Sequence, residues 1–260
     1  APPERSGNVF ERLRLYNGVM CLLHLAQGIL MVALSSAYRV ALTTSFLVSD
    51  PSTRTTETVT REVARVRLGP LVALFLFISA LAHLLLTLPG IYRWYVKNLK
   101  KNINYARWIE YFFSSSLMIV IIAVLSGMYD LPSLVLIFFL NGMMILFGMM
   151  MEVHNQTTLK TSWLSFYFGC LAGVVPWVIV AWYFFSAAAD SSGNMPTFVY
   201  FILGSLFVFF NLFAVNMALQ YRKVGPWKDY LFGEKVYILL SLVAKSALAW
   251  QVFAGTRVPR

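Results

Sequence analysis

Lys245 is the residue of this chain whose type and position most strongly indicate chemistry, because it lies about nine residues from either end of the apolar stretch 236–254. At about 1.5 Å of rise per helical residue, nine residues are close to half of a hydrocarbon core. A cationic side chain at that depth costs about 2.5 to 3.5 kcal/mol even on mild insertion scales. A lysine amine in a dry pocket is also a nucleophile towards aldehydes, so the position favours a Schiff base with a carbonyl ligand.

Glu110 is the natural partner of this lysine, because the residues one turn from Lys245 on its own helix, such as Ser241, cannot neutralise it. A carboxylate would serve as the counterion of a charged nitrogen. The alternative is a structural Lys–Glu pair that merely joins two helices, although such a buried pair is often no more stabilising than an apolar one.

After residues near helix ends are discounted, four other polar side chains are candidates for a role within the apolar segments: His24 and Gln27, three residues apart on one helix face, His83, and Asn141. Polar residues at membrane depth indicate a functional site by default. Single buried histidines are nevertheless often packing residues, so both interpretations of His24 and His83 stay open. Two histidines on separate helices lack further ligands, so no metal site is expected.

The elements that must position these residues are membrane helices. Hydrophobic residues make up 59% of the 260 residues and charged residues only 12%, about half the charged share of a soluble domain. Windows of about 20 apolar residues predict a single domain, 1–260, that is an all-α membrane protein of seven helices. The predicted helices lie near 12–38, 68–89, 104–127, 131–152, 163–187, 197–222 and 231–256.

The distribution of Lys and Arg predicts the orientation. Basic residues near the membrane number 13 on the side of the N-terminus and 7 on the opposite side. Since basic residues concentrate in cytoplasmic loops, we expect a multi-pass cell-membrane protein with a cytoplasmic N-terminus and an extracellular C-terminus. The net charge of +10 suits contact with anionic lipid, and without a folded basic domain we expect no nucleic-acid partner.

The first extracellular loop, roughly 39–67, is too long to be a simple turn. It contains the turn sequence Asp50-Pro51-Ser52, followed by β-branched residues that alternate with polar ones. This pattern predicts a short β-hairpin on the membrane surface, and a solvated loop is the alternative.

An elongated apolar ligand of Lys245 would need aromatic walls and space. Phe207, Phe210 and Trp177 can supply the walls, and Gly169 and Gly173 can supply width or, equally, a helix–helix contact. Seven helices with a lysine at mid-membrane in the last one is the plan of a rhodopsin-like retinal protein.

Several segments closely resemble heliorhodopsins over essentially the whole chain. They are 241–251 (SLVAKSALAWQ), 107–111 (RWIEY) with 114–116, 141–142, 168–177 (FGCLAGVVPW) and 209–211. Heliorhodopsins are retinal-binding photoreceptors whose membrane orientation is inverted relative to ordinary microbial rhodopsins. The resemblance therefore implies the same orientation as the count of basic residues.

The resemblance also implies roles for individual residues. Lys245 would carry all-trans retinal as a protonated Schiff base, with Glu110 as counterion and Ser114 and Ser241 nearby. His24, Gln27, His83 and Trp250 would form a polar cluster that holds water or receives the proton. The pocket contacts would be Met118, Asn141, Ile145, Trp177 and Phe210. The family also implies a homodimer that involves the hairpin after the first helix.

The residues around Lys245 favour a light sensor with an unidentified signalling partner over a pump, and no enzymatic activity is expected. Ordinary pumps place a second carboxylate one turn before the lysine, where this chain has Ser241, and the third helix has no carboxylate beyond Glu110. A one-way proton path needs acids and bases in sequence across the membrane. A light-driven ion transporter or channel and a non-photoactive transporter or receptor remain the alternatives.

Overall fold

The computed structural model describes residues 7–190 and 197–257, and within them seven helices are long and apolar enough to cross a membrane. The helices and strands are α1 (Gly7–Leu34), β1 (Arg39–Asp50), β2 (Thr55–Arg67), α2 (Leu68–Thr87), α3 (Pro89–Leu99), α4 (Tyr105–Leu125), α5 (Leu131–His154), α6 (Leu164–Asp190), α7 (Thr197–Tyr221), a 3₁₀ turn (Gly225–Lys228) and α8 (Tyr230–Arg257). The seven-helix fold expected from the sequence is confirmed, and the chain is a multi-pass membrane protein.

Helix α4 lies at the centre of the bundle. In the most apolar segment of α4, other parts of the protein bury 56% of the residues. The corresponding share is 17% in α6 and 17% in α7. Ile119, Ile121 and Ile122 of α4 are fully enclosed, together with Phe75 and Leu76 of α2. Helices α6 and α7 therefore turn most of their apolar surface to lipid, and α4 is the element that can bring a polar side chain to the interior.

A close approach of α4 and α5 depends on Gly148. A Cβ atom at this position would lie 2.5 Å from the ring of Trp108. The indole thus packs directly on the backbone of α5, and its nitrogen reaches Glu152 one turn further along, at 2.6 Å. Glycine is required here by the shortage of space.

The helix α3 was not predicted from the sequence. Pro89-Gly90 does mark the end of the preceding helix, but Pro89 also begins α3, because proline fits the first turn of a helix, where the missing N–H would be unpaired anyway. Tyr95 and Leu99 of α3 are buried against the bundle. The helix covers the end at which the N-terminus lies.

The predicted β-hairpin is confirmed and is longer than expected. Strands β1 and β2 pair antiparallel from Arg39 opposite Arg67 to Asp50 opposite Thr55, with one irregularity after Leu42. At the tip, Ser52 donates hydrogen bonds from its hydroxyl and its backbone N–H to Asp50, at 2.6 and 2.8 Å. These bonds hold the pKa of Asp50 below its ordinary value.

The base of the hairpin is attached to the turn between α4 and α5. The backbone N–H of Thr43 donates to the carbonyl of Tyr129 at 2.9 Å, and Thr43 forms a bridge with Asp130. The first helix ends at Leu34, four residues before the predicted end, because the chain must turn there to enter β1. The hairpin is therefore joined to the transmembrane bundle through backbone hydrogen bonds.

Candidate functional site

Lys245 and Glu110 meet in the interior of the bundle. The Nζ of Lys245 donates to Oε1 of Glu110 at 2.8 Å and to Oγ of Ser241, one turn earlier on α8, at 2.7 Å. The side chains of Lys245 and Glu110 are 3% and 9% exposed. In a medium of low dielectric constant each charge depends on the other, so the pair explains how a cation is tolerated at the middle of α8.

Ser79 of α2 is a part of this site that sequence reasoning missed. Its hydroxyl donates to the same Oε1 of Glu110 at 2.6 Å and is fully buried. The position of Ser79 one turn before His83, on the same face of α2, was the available indication. Side chains of α2 and α8 therefore hold the carboxylate of α4 in place.

The two histidines stack on each other beside this pair. The rings of His24 and His83 are nearly parallel, with centroids 5.6 Å apart. The Nδ1 of His83 lies 2.8 Å from Oδ1 of Asn17, and Nδ2 of Asn17 donates to the carbonyl of Leu13 at 2.8 Å. Because the amide nitrogen is already used, Oδ1 must accept from His83, which fixes the proton on Nδ1 and leaves Nε2 as the basic nitrogen.

Asn17 was also missed from the sequence, although it lies two turns before His24 on the same face of α1. Gln27 and Trp250, the other predicted members of the polar cluster, form a separate contact between α1 and α8. Trp250 Nε1 donates to Gln27 Oε1 at 3.2 Å near the outer surface of the bundle.

A small cavity of about 30 Å³ connects the lysine site with the end of the bundle where the N-terminus lies. Glu110, His83 and Ser241 border it on one side, and Asn104 and Arg107 border it on the other. This volume is enough for a water molecule with several polar partners. The cavity is the polar environment to which a proton could move from Lys245.

A larger cavity of about 130 Å³ lies on the other side of Lys245, between α4, α5, α6, α7 and α8. Six of the predicted contact residues line it: Ser114, Met118, Ile145, Phe210, Ser241 and Lys245. Most of its remaining wall is aromatic, methionine, glycine or alanine, including Trp108, Tyr111, Phe213 and Gly169. A retinal aldehyde is apolar except at its carbonyl end, and the cavity is apolar except around Lys245, so the residues fit that group.

Three predicted contact residues lie outside the wall of this cavity. Trp177 meets Phe210 and Phe207 edge to face, at 5.4 and 5.3 Å between centroids, and Phe207 is 49% exposed on the outer surface of α7. Asn141 donates from Nδ2 to the hydroxyls of Ser115 and Ser116, at 2.9 and 3.2 Å. These residues contact residues of the wall or each other, and none of the three borders the cavity.

A buried ion cluster near the N-terminal end of the bundle was also missed. Arg107 is one of the 13 basic residues counted on that side of the membrane. Its side chain is 4% exposed, and its guanidinium contacts the carboxyl groups of Glu152 and Glu234. In a sequence, charged residues this close to helix ends look like residues of the membrane surface. Tyr95 of α3 and Tyr230 and Tyr237 of α8 pack around these charges, and no local sequence pattern predicts that packing.

The seven helices and the paired lysine and glutamate define a membrane protein with the rhodopsin fold. A solved structure described as a light-driven proton pump from Leptosphaeria maculans matches with a TM-score of 0.56 and 14% sequence identity, covering 96% of this chain and 97% of that chain. A search of the curated proteins found no match. The heliorhodopsin family model matches residues 13–257, and the chain belongs to the heliorhodopsin family. It is thus a retinal protein of the photoreceptor type.

Proposed function

We propose that the protein is a light sensor in which Lys245 holds all-trans retinal as a protonated Schiff base and Glu110 is the counterion. The observation that carries this proposal is the position of the Lys245 amine, which lies between its carboxylate partner and an apolar cavity. When bound, the retinal supplies light absorption and isomerisation of its polyene chain.

The residues of the chain supply the electrostatics. Glu110, held by Ser79, stabilises positive charge on the lysine nitrogen. His83 borders the same small cavity as Glu110, and its Nε2 is left basic by the bond to Asn17. We propose that a proton leaving Lys245 after light absorption moves into the region of His83 and His24 and then returns.

The distribution of titratable residues supports a sensor in preference to a pump. Beyond Glu110 on α4, and beyond Lys245 on α8, the described membrane-spanning residues include no Asp, Glu or His. A proton on Lys245 therefore has side-chain acceptors towards the end of the bundle where the N-terminus lies. We propose that this end is cytoplasmic and that the output is passed to a signalling partner.

We also propose that the protein is a homodimer that pairs through the hairpin. Leu47, Phe46 and Val63 of the hairpin are exposed apolar side chains on a surface outside the membrane. Leu47→Asp should convert a dimer in detergent to a monomer, as measured by light scattering. A mass that does not change would contradict this interface.

The proposal is tested by adding all-trans retinal to the purified protein. We expect a visible absorption band that Lys245→Ala abolishes, whereas Lys235→Ala, which removes an exposed lysine of the same helix, should leave it intact. Illuminated vesicles containing the protein should show no sustained change of pH or voltage. Light-driven acidification or alkalinisation would instead support the transporter alternative.

A further inference from the structure

The proposed function does not use the ion cluster formed by Arg107, Glu152 and Glu234. These residues belong to α4, α5 and α8, and their side chains are 4%, 1% and 0% exposed. The cluster therefore joins three helices at the end of the bundle where the N-terminus lies, away from water.

The charges of this cluster do not balance. Among the described residues, three buried carboxyl groups, of Glu110, Glu152 and Glu234, are matched by only two buried basic groups, of Arg107 and Lys245. Because Lys245 is paired with Glu110, one guanidinium remains for two carboxylates. An uncompensated negative charge in such surroundings is strongly unfavourable.

The groups around the cluster do not supply the missing positive charge. Its other polar neighbours are neutral: Tyr230, Asn104 and Trp108 donate hydrogen bonds to the two carboxylates. Tyr95, Tyr111, Tyr221 and Tyr237 also face it, as neutral phenols. The basic residues nearest in the chain, Lys100, Lys101, Lys228 and Lys235, are exposed, and so is His154. His83 bonds to Asn17 on the Glu110 side of the small cavity.

The hydrogen bonds distinguish the two carboxylates. Oε1 of Glu152 accepts from Arg107 Nη2 at 2.5 Å and from the Tyr230 hydroxyl at 3.0 Å, while Oε2 accepts from Trp108 Nε1 at 2.6 Å and from the Asn104 backbone at 3.0 Å. A carboxylate has about four lone-pair sites, two on each oxygen. Two donors on each oxygen of Glu152 occupy these sites, so no site is left for a proton. Glu234 accepts only one donor on each oxygen, from Arg107 and from Asn104 Nδ2.

We infer that Glu234 is a neutral carboxylic acid in the resting protein, and that it is a proton-binding site separate from Lys245. Glu152 then remains ionised and pairs with Arg107. Arg107 lies three residues before Glu110 on α4, and both border the small cavity, so a change of charge at Glu110 acts on the proton of Glu234. A change in the spacing of α4 and α8 would alter the contact between Arg107 and Glu234 and thus release or take up this proton.

Infrared spectroscopy of the purified protein in lipid at neutral pH tests the inference. Exposed acids are ionised under these conditions, so we expect one carbonyl band of a buried carboxylic acid, with a downshift in D₂O. The band should persist in Glu110→Gln. It should disappear in Glu234→Gln and also in Glu152→Gln, because either change leaves one carboxylate for one guanidinium.

Thermal unfolding then shows which of the two glutamates, Glu152 or Glu234, carries the proton. Glu234→Gln replaces one neutral group with another, so its midpoint should stay within about 2 °C of the unmodified protein. Glu152→Gln removes the carboxylate with four donors, and its midpoint should fall clearly further. Absence of the band in the unmodified protein, survival of the band in Glu234→Gln, or a larger loss of stability in Glu234→Gln than in Glu152→Gln would each overturn the inference.

Discussion

Oδ1 of Asn17 accepts a hydrogen bond from Nδ1 of His83, 2.8 Å away, and this bond determines which nitrogen of the histidine is basic. The amide of Asn17 cannot turn over without losing its bond to the carbonyl of Leu13. A residue on α1 that touches neither the lysine nor its counterion therefore controls the proton affinity of the ring next to them.

Asn17→Leu should destabilise the protein and slow its recovery after a flash. Asn17 is fully buried, and its substitution leaves the Nδ1–H of the half-buried His83 without its acceptor, at a cost of about 1–3 kcal/mol. Thermal unfolding and flash photolysis of the retinal-loaded protein measure the two effects. Asn211→Leu is the matched control, because Asn211 makes the same bond to the carbonyl four residues earlier but is exposed. Equal effects of the two substitutions would contradict the role of Asn17.

Glu110→Gln should shift the visible absorption band to longer wavelength. In the ground state of the bound retinal, the negative charge of Glu110 stabilises the positive charge on the lysine nitrogen. Its removal therefore reduces the energy difference between the ground and excited states of the retinal. Absorption spectroscopy of the retinal-loaded variant measures the shift. Glu57→Gln, on the exposed hairpin, should leave the maximum unchanged. An unchanged maximum in Glu110→Gln would mean that another group is the counterion.

Arg107→Gln should be among the most destabilising single substitutions in the chain. It leaves the buried Glu152 without its cation, and breaking a buried ion pair from one side costs about 3–5 kcal/mol. Thermal unfolding measures the loss, and Arg93→Gln, at an exposed position of α3, is the control. Adding Glu234→Gln to Arg107→Gln should not rescue the protein, because Glu152 stays ionised and unpaired. A rescued double variant would show that Glu234 carries the excess charge.

Phe210→Ala should lower the yield of retinal-loaded protein, whereas Phe207→Ala should not. Phe210 lines the large cavity and packs against Trp177, while Phe207 contacts the same indole from the outer surface. Removing the inner ring leaves a void, which costs about 3–5 kcal/mol for a fully buried phenylalanine and less for the partly buried Phe210. The ratio of visible to protein absorbance measures the yield. An equal loss in both variants would mean that Phe207 also contacts the ligand.

The sequence was sufficient for the seven membrane helices and for naming Glu110 as the partner of Lys245, because that partner follows from the cost of a charge in an apolar span. A lysine at mid-helix has few partners to choose from. The helices themselves follow from the length of the apolar windows, and the hairpin follows from its turn residues and alternation.

The remaining parts of the site depend on packing between distant segments. Ser79 and Asn17 are ordinary residues in a helix sequence. Only the packing of α2 on α4 reveals what Ser79 binds, and only the packing of α1 on α2 reveals what Asn17 binds. Glu152 and Glu234 lie within a few residues of helix ends, where charges are usually exposed. Phe207 and Phe210 are equally apolar, and the rotation of α7 alone decides which one faces the cavity.

Arg107 and Glu110 are one turn apart on α4, the membrane helix with the largest buried share among the described residues. A rotation of α4 about its axis moves both side chains through the same angle. A movement of α4 would therefore change the lysine site and the proton of the Arg107 cluster together. The hairpin is bonded through Tyr129 to the turn that follows α4, so a movement of α4 also reaches the hairpin.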